Sequence, residues 1–143
     1  MHTHHKIKYT HTVHAPIEKV WDALTNPEIV KQYFFGTNLK SDWKQGSTIS
    51  FSGEYEGTPY EDKGTILSIK ENDHIEYSYL SSWANKEDKP ENYLWVKYSL
   101  EPSGDDTLVT VEQSNYDEAT CEHSLNNWKG LLAGMANLVE NNN

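Results

Sequence analysis

One stretch near the end of the sequence limits what the rest can fold into. Over Ala119–Glu140, Leu125, Trp128, Leu132, Met135 and Val139 recur at alternating steps of three and four, which puts them on one face of a helix. Leu131 and Leu138 widen that stripe. From Thr37 to Asn115 the chain reads instead as strands and tight turns. A single long amphipathic helix after a run of strands must bury its stripe against a sheet face. The expected class is therefore α+β, with a curved antiparallel sheet of about seven strands wrapped around the last helix.

The remaining elements follow from local signals. Lys6–His14 alternates as a strand, with Ile7, Tyr9, His11 and Val13 on one side. Ala15-Pro16 ends it and opens a helix, since proline suits the first helical position. Ile17, Val20, Trp21 and Leu24 then form an apolar stripe. Thr25-Asn26-Pro27-Glu28 starts a second short helix, Pro27–Tyr33, capped by Asn26 or by a Thr25–Glu28 box and stopped at Gly36. Strands are expected over Thr37–Trp43, Thr48–Gly53, Tyr60–Lys70, Asp73–Trp83, Tyr93–Glu101 and Thr107–Asn115. Leu67 and Ile69 break the alternation after Ile66, which predicts a bulge. Glu54–Pro59 and Ala84–Glu91 read as loops, and Asn72-Asp73 and Pro102–Asp106 as turns. The 143 residues make one domain, with residues 1–5 disordered or tag-like and 141–143 a frayed tail.

Composition narrows the function classes. The formal charge is −10, and every basic residue is a lysine. That excludes the basic footprint that nucleic acids and anionic membranes require. One cysteine, Cys121, permits no internal disulfide. The amino terminus lacks the apolar stretch of a secretory leader, and no apolar run nears the ~20 residues of a membrane helix. The expectation is a cytoplasmic protein, monomer or homodimer, without membrane insertion. His2, His4 and His5 look like part of a tag, with no carboxylate or cysteine nearby to complete a metal site. No metal or cofactor is expected.

Several stretches resemble the START-like (helix-grip) superfamily, and in particular the group related to the C-terminal domain of the Hsp90 ATPase activator. Ala15-Pro16-Ile17-Glu18-Lys19-Val20-Trp21-Asp22-Ala23-Leu24-Thr25 is similar to the family's opening A-P-x-x-x-V-W-x-A-L-T. Ser41-Asp42-Trp43 with Gly46 is similar to S-D-W-x-x-G, and Tyr60-Glu61-Asp62-Lys63-Gly64 to Y-x-D-x-G. The resemblance covers almost the whole chain. It implies a cavity between the concave sheet face and the terminal helix, where members bind lipids, polyketides, flavonoids or hormones. Some members are cyclases or aromatases, and one branch is a co-chaperone with a further N-terminal domain. No catalytic motif carries over.

The hydrophobic fraction is only 36%, yet aromatics make up 12%, with nine Tyr and five Trp. Large rings with polar tips must therefore fill much of the interior. Tyr77, Tyr79 and Tyr98 alternate onto the expected inner face, and Trp128 enters from the helix. With Phe51, Gln113 and Leu132 they are the candidate ligand-binding residues. They either line a pocket for a hydrophobic or aromatic small molecule or simply fill the core. Gln113 either satisfies a buried group or bonds a ligand. Glu61 and Asp62 point to opposite faces of one strand, so they cannot work as an acid–base pair. Cys121 and His123 do not share a helical face. His74 beside Asp73 reads as a surface turn. A weak protein partner would need an exposed apolar patch, for which Tyr93 and Trp95 are the candidates. There is no phosphate loop, zinc-type cysteine pair or nucleophile elbow.

Overall fold

A bulge in the fourth strand and a glycine beside it bend the sheet around the last helix. The computed structural model describes residues 5–34, 36–82 and 86–141. The elements are β1 (Lys6–Val13), α1 (Ile17–Thr25), α2 (Pro27–Tyr33), β2 (Asn38–Ser41), β3 (Thr48–Tyr55), β4 (Thr58–Lys70), β5 (His74–Tyr79), β6 (Leu94–Ser103), β7 (Asp106–Ser114) and α3 (Glu118–Asn141), with a 3-10 turn at Pro90–Asn92. The sheet is seven-stranded in the order β1-β7-β6-β5-β4-β3-β2, and every pairing is antiparallel. This is the expected helix-grip fold.

The sheet curves where β4 crosses from one half to the other. Its pairing with β5 shifts register between Ile66 and Ser68. Gly64, close by, lies against the backbone of Ser78, where a Cβ would overlap the Ser78 carbonyl. α3 lies over β1 and touches β7, α1 and α2. Its far end is tied back by the Glu140 carboxylate, which accepts from the His14 backbone N–H at 2.9 Å. Val13, Ile66, Ile75, Val96, Val109, Val111, Leu132 and Met135 have almost no exposed surface and form the core between sheet and helix. Of the expected α3 stripe, Trp128, Leu132, Met135 and Val139 are buried and Leu125 is half-buried.

Some boundaries differ from the sequence reading, each for a local reason. Pro16 sits at the N-cap of α1 rather than in its first turn. Asn26 is the cap of α2, its side chain accepting from Glu28 N–H at 3.0 Å. Glu54–Pro59 is not a loop. Glu56 and Gly57 have φ of 50° and 82°, a pair of positive φ values that allows a two-residue hairpin turn, so β3 and β4 pair out to Tyr55 and Thr58. β2 is shorter than Thr37–Trp43, and β5 ends at Tyr79. Trp83, Ala84 and Asn85 lie outside the described residues.

Candidate functional site

The inner face of the sheet and α3 enclose a chamber of rings. Phe51 on β3, Tyr77 on β5 and Tyr98 on β6 all point inward by strand alternation. Tyr77 lies on the diagonal from Tyr98, because Ile75 pairs with Tyr98 and Tyr77 with Val96. Their ring centroids are 6.3 Å apart. Trp128 meets Tyr98 edge-on at 5.5 Å, and Phe34 edge-on at 6.3 Å. Phe34 stacks on Phe51 at 5.9 Å, and Phe51 meets Tyr79 edge-on at 5.7 Å. The chain of contacts closes from helix to sheet and back.

Between these rings lies a void of only about 10 Å³. A space of that size is at the lower limit for one water molecule. It is lined by Tyr33, Phe34, Trp43, Phe51, Tyr77 and Tyr98, with aliphatic neighbours. In this state side chains fill the space between sheet and helix. A broader open depression with a largely polar lining runs along β2.

The polar tips are arranged inside. Tyr33 donates its hydroxyl to Ala23 O at 2.6 Å. Tyr79 donates to Asp62 Oδ2 at 2.6 Å. The hydroxyls of Tyr77 and Tyr98 interact with each other. Burial is the main reason that all four phenols hold their protons well above the ordinary tyrosine range. For Tyr79 the neighbouring Asp62 carboxylate adds to the shift. These groups are hydrogen-bond donors at neutral pH and poor bases. The consequence for stability has a definite sign. The folded chain keeps protons that the unfolded chain releases above about pH 10, so the contribution of these four groups to stability is constant below that pH and falls above it. An alkaline titration should show phenolate absorbance from these residues only together with loss of the circular dichroism signal. Phenolate formation from all nine tyrosines before any unfolding would contradict the burial.

The rim beside Trp128 is polar but internally satisfied. Trp128 Nε1–H donates to Gln113 Oε1 at 2.7 Å, and Gln113 Nε2 donates to Asn115 Oδ1 at 3.2 Å. Of the two roles open to Gln113, the structure displays the first. Asp62, buried, is a clasp: its Oδ1 accepts from Ser82 N and Oγ at 2.8 and 3.1 Å. Glu61 on the opposite face is exposed.

One group breaks this economy. Ser124, one helical turn before Trp128, is buried, and its hydroxyl has no partner among the described residues. An unpaired buried hydroxyl costs on the order of 1–3 kcal/mol, and alanine is the better helix former. Ser124→Ala should therefore raise the urea midpoint, by about 1 kcal/mol in stability at constant m-value. A loss of that size would show that the hydroxyl is in fact satisfied.

All seven residues singled out in the sequence are thus placed. Phe51, Tyr77, Tyr79, Tyr98 and Trp128 belong to the ring network, Gln113 holds Trp128, and Leu132 is packed in the core. Sequence reasoning missed Tyr33, Phe34 and Trp43 as lining residues. Trp43 reaches inward from a turn in which its own φ is +55°, a conformation unusual for a bulky side chain, so strand alternation could not place it. On the outer face, the Trp95 indole donates to Glu76 and lies 4.7 Å beneath the Lys6 ammonium, and Tyr93 donates to Asp88 at 2.6 Å. These two rings are engaged within the chain and do not form a bare apolar patch. Among the described residues no group of three or more His, Cys, Asp or Glu is placed to hold a metal, and no helix is long and apolar enough to cross a membrane.

A seven-stranded sheet gripping a terminal helix over a ring-lined interior defines a START-like, helix-grip domain. The chain belongs to the family described as Activator of Hsp90 ATPase homolog 1-like protein, whose family model matches residues 14–140. The solution structure of ChR145 from Cytophaga hutchinsonii is 43% identical, covers 99% of this chain and 98% of that one, and superposes with a TM-score of 0.85. Two more distant structures share the fold. The Aha1 dimer from Colwellia psychrerythraea is 19% identical over 94% of this chain and 96% of that one, with a TM-score of 0.73. DynU16, a protein of the dynemicin biosynthetic locus, is 18% identical over 96% of this chain but 48% of its own, with a TM-score of 0.79. No curated protein matches.

Proposed function

We propose that the chain binds a flat, largely apolar small molecule of lipid, polyketide or flavonoid type between the sheet and α3. The observation that carries this reading is the ring chamber, in which Phe34, Phe51, Tyr77, Tyr98 and Trp128 make edge and stacking contacts around inward hydroxyls. A ligand ring can replace such contacts one for one, and phenol donors suit a carbonyl or hydroxyl on it. The likeness in fold to DynU16 from a biosynthetic locus is consistent with a ligand of that kind.

Because the void is so small, the ligand must displace a side chain. Phe34 is the natural one to move, since it caps the end of α2, is half-buried and covers Phe51. Opening costs affinity by the fraction of molecules that are open, so apparent binding is weaker than the buried apolar area alone would give. A cyclase or aromatase reading would use the same chamber. Phenols held above their ordinary range offer no base for it, which favours binding over turnover. The test is native mass spectrometry of the protein as purified and after incubation with 2-phenylchromone. One molecule per chain is expected, with the adduct reduced at least tenfold in Tyr98→Ala. An adduct that is absent, or unaffected by this change, would overturn the assignment.

A further inference from the structure

The outer face of the sheet carries an arrangement that the chamber does not use. Ser68 Oγ lies 2.7 Å from His74 Nε2, and His74 Nδ1 lies 2.7 Å from Asp73 Oδ2. We propose that Ser68, His74 and Asp73 form a nucleophilic site that takes activated carboxylic esters and transfers their acyl group to water.

The polarity of the three groups follows from their chemistry. An ionised carboxylate only accepts hydrogen bonds, so the proton of neutral His74 sits on Nδ1 and points at Asp73. Nε2 then carries the lone pair, and the Ser68 hydroxyl must donate to it. That is the orientation a serine needs in order to lose its proton to a base. The His74 hydrogen bond, first among several influences, holds the Asp73 carboxyl below its usual range and so keeps it in the accepting form.

The fold builds this geometry with two irregularities. Ile66 points into the core, and simple alternation would send Ser68 inward with it. The bulge between Ile66 and Ser68 reverses the phase: Ile69 pairs with buried Ile75, and Ser68 pairs with Glu76 on the outer face. Bulges that re-aim a side chain are enriched beside reactive sites. At the turn, Asn72 adopts φ of 62°, and the backbone of Asp73 is fixed on both sides. Its N–H donates to Lys70 O at 3.0 Å, and its carbonyl accepts from Leu100 N–H at 2.8 Å. Asp73 and His74 are therefore held, while their side chains keep 54% and 22% of their exposure and stay reachable. Lys70, the cross-strand partner of His74, and Lys97 both act on the Asp73 charge and favour its ionised form.

The reaction is balanced as follows. Ser68 Oγ bonds to the ester carbonyl carbon while its proton passes to His74 Nε2. The bond to the leaving oxygen breaks, and that oxygen takes the proton back from Nε2. Water then attacks the acyl-serine by the same route, releasing the acid and restoring Ser68. An open sheet face favours esters whose leaving group is already stable, such as para-nitrophenyl acetate.

The experiment is to treat the intact protein with an alkyl fluorophosphonate, map the adduct by peptide mass spectrometry, and measure hydrolysis of para-nitrophenyl acetate. The expected adduct is on Ser68 and is lost in His74→Gln. Serine-dependent hydrolysis, the excess over Ser68→Ala, should fall roughly 100-fold in His74→Gln, the scale of general-base assistance. A network that merely pins the turn would lower melting temperatures in all these variants and leave no adduct. An adduct absent from Ser68 in folded protein, or equal hydrolysis by wild type and Ser68→Ala, overturns the proposal.

Discussion

Gly64→Ala is expected to be the most damaging small substitution in this chain. The added methyl group would occupy the position of the Ser78 carbonyl, on the strand that β4 must approach to bend the sheet. Neither side can yield cheaply. Lys63 exchanges backbone hydrogen bonds with Leu80 at 3.1 and 2.8 Å, and Thr65 N–H donates to Ser78 Oγ at 3.0 Å, so the two strands are pinned on either side of the glycine. Relief requires breaking that junction, at a cost of roughly 3–5 kcal/mol, near the upper end of what one substitution does. Against a total stability of about 5–15 kcal/mol, this leaves a marginal domain. A thermal melt should show a drop of roughly 10–20 °C or no folded state. A change within about 3 °C would mean that β4 and β5 are not joined as described.

The second large effect is expected at Trp128. Its ring contacts both Phe34 and Tyr98, and its N–H is the donor that satisfies Gln113. Trp128→Ala removes the ring and leaves a buried-side acceptor unpaired, which together cost about 3–5 kcal/mol. Trp128→Phe separates the two contributions, since it keeps most of the apolar surface and loses only the hydrogen bond, for roughly 1–2 kcal/mol. Urea titrations of the pair give both values. Equal destabilisation by the two variants would contradict the account of the ring's packing.

How much of this was legible in the sequence depended on range. The α3 stripe was readable because burial repeats with the helical period, whereas Asn26 was one of two capping alternatives, and the structure selects it through its bond to Glu28 N–H. The bulge announced itself when Leu67 and Ile69 fell out of phase with Ile66. The hairpin at Glu56-Gly57 did not, because a glutamate at positive φ carries no compositional signal. The inward Tyr77 and Tyr98 could be named, but whether they line or fill the interior depends on Phe34 and Trp43 arriving from another helix and a turn. Asp73 beside His74 was visible as a turn. Ser68 joined them only through a register shift that reverses which face it occupies.

The central claim is that the ring chamber opens to hold a flat apolar ligand. Intermolecular nuclear Overhauser effects between 2-phenylchromone and the protein, in solution, test it most directly. The account predicts cross-peaks from the ligand to Phe51, Tyr77, Tyr98 and Trp128, with Phe34 displaced from its stack on Phe51. Cross-peaks confined to the outer face or to the polar depression along β2, with the chamber rings unmoved, would contradict it.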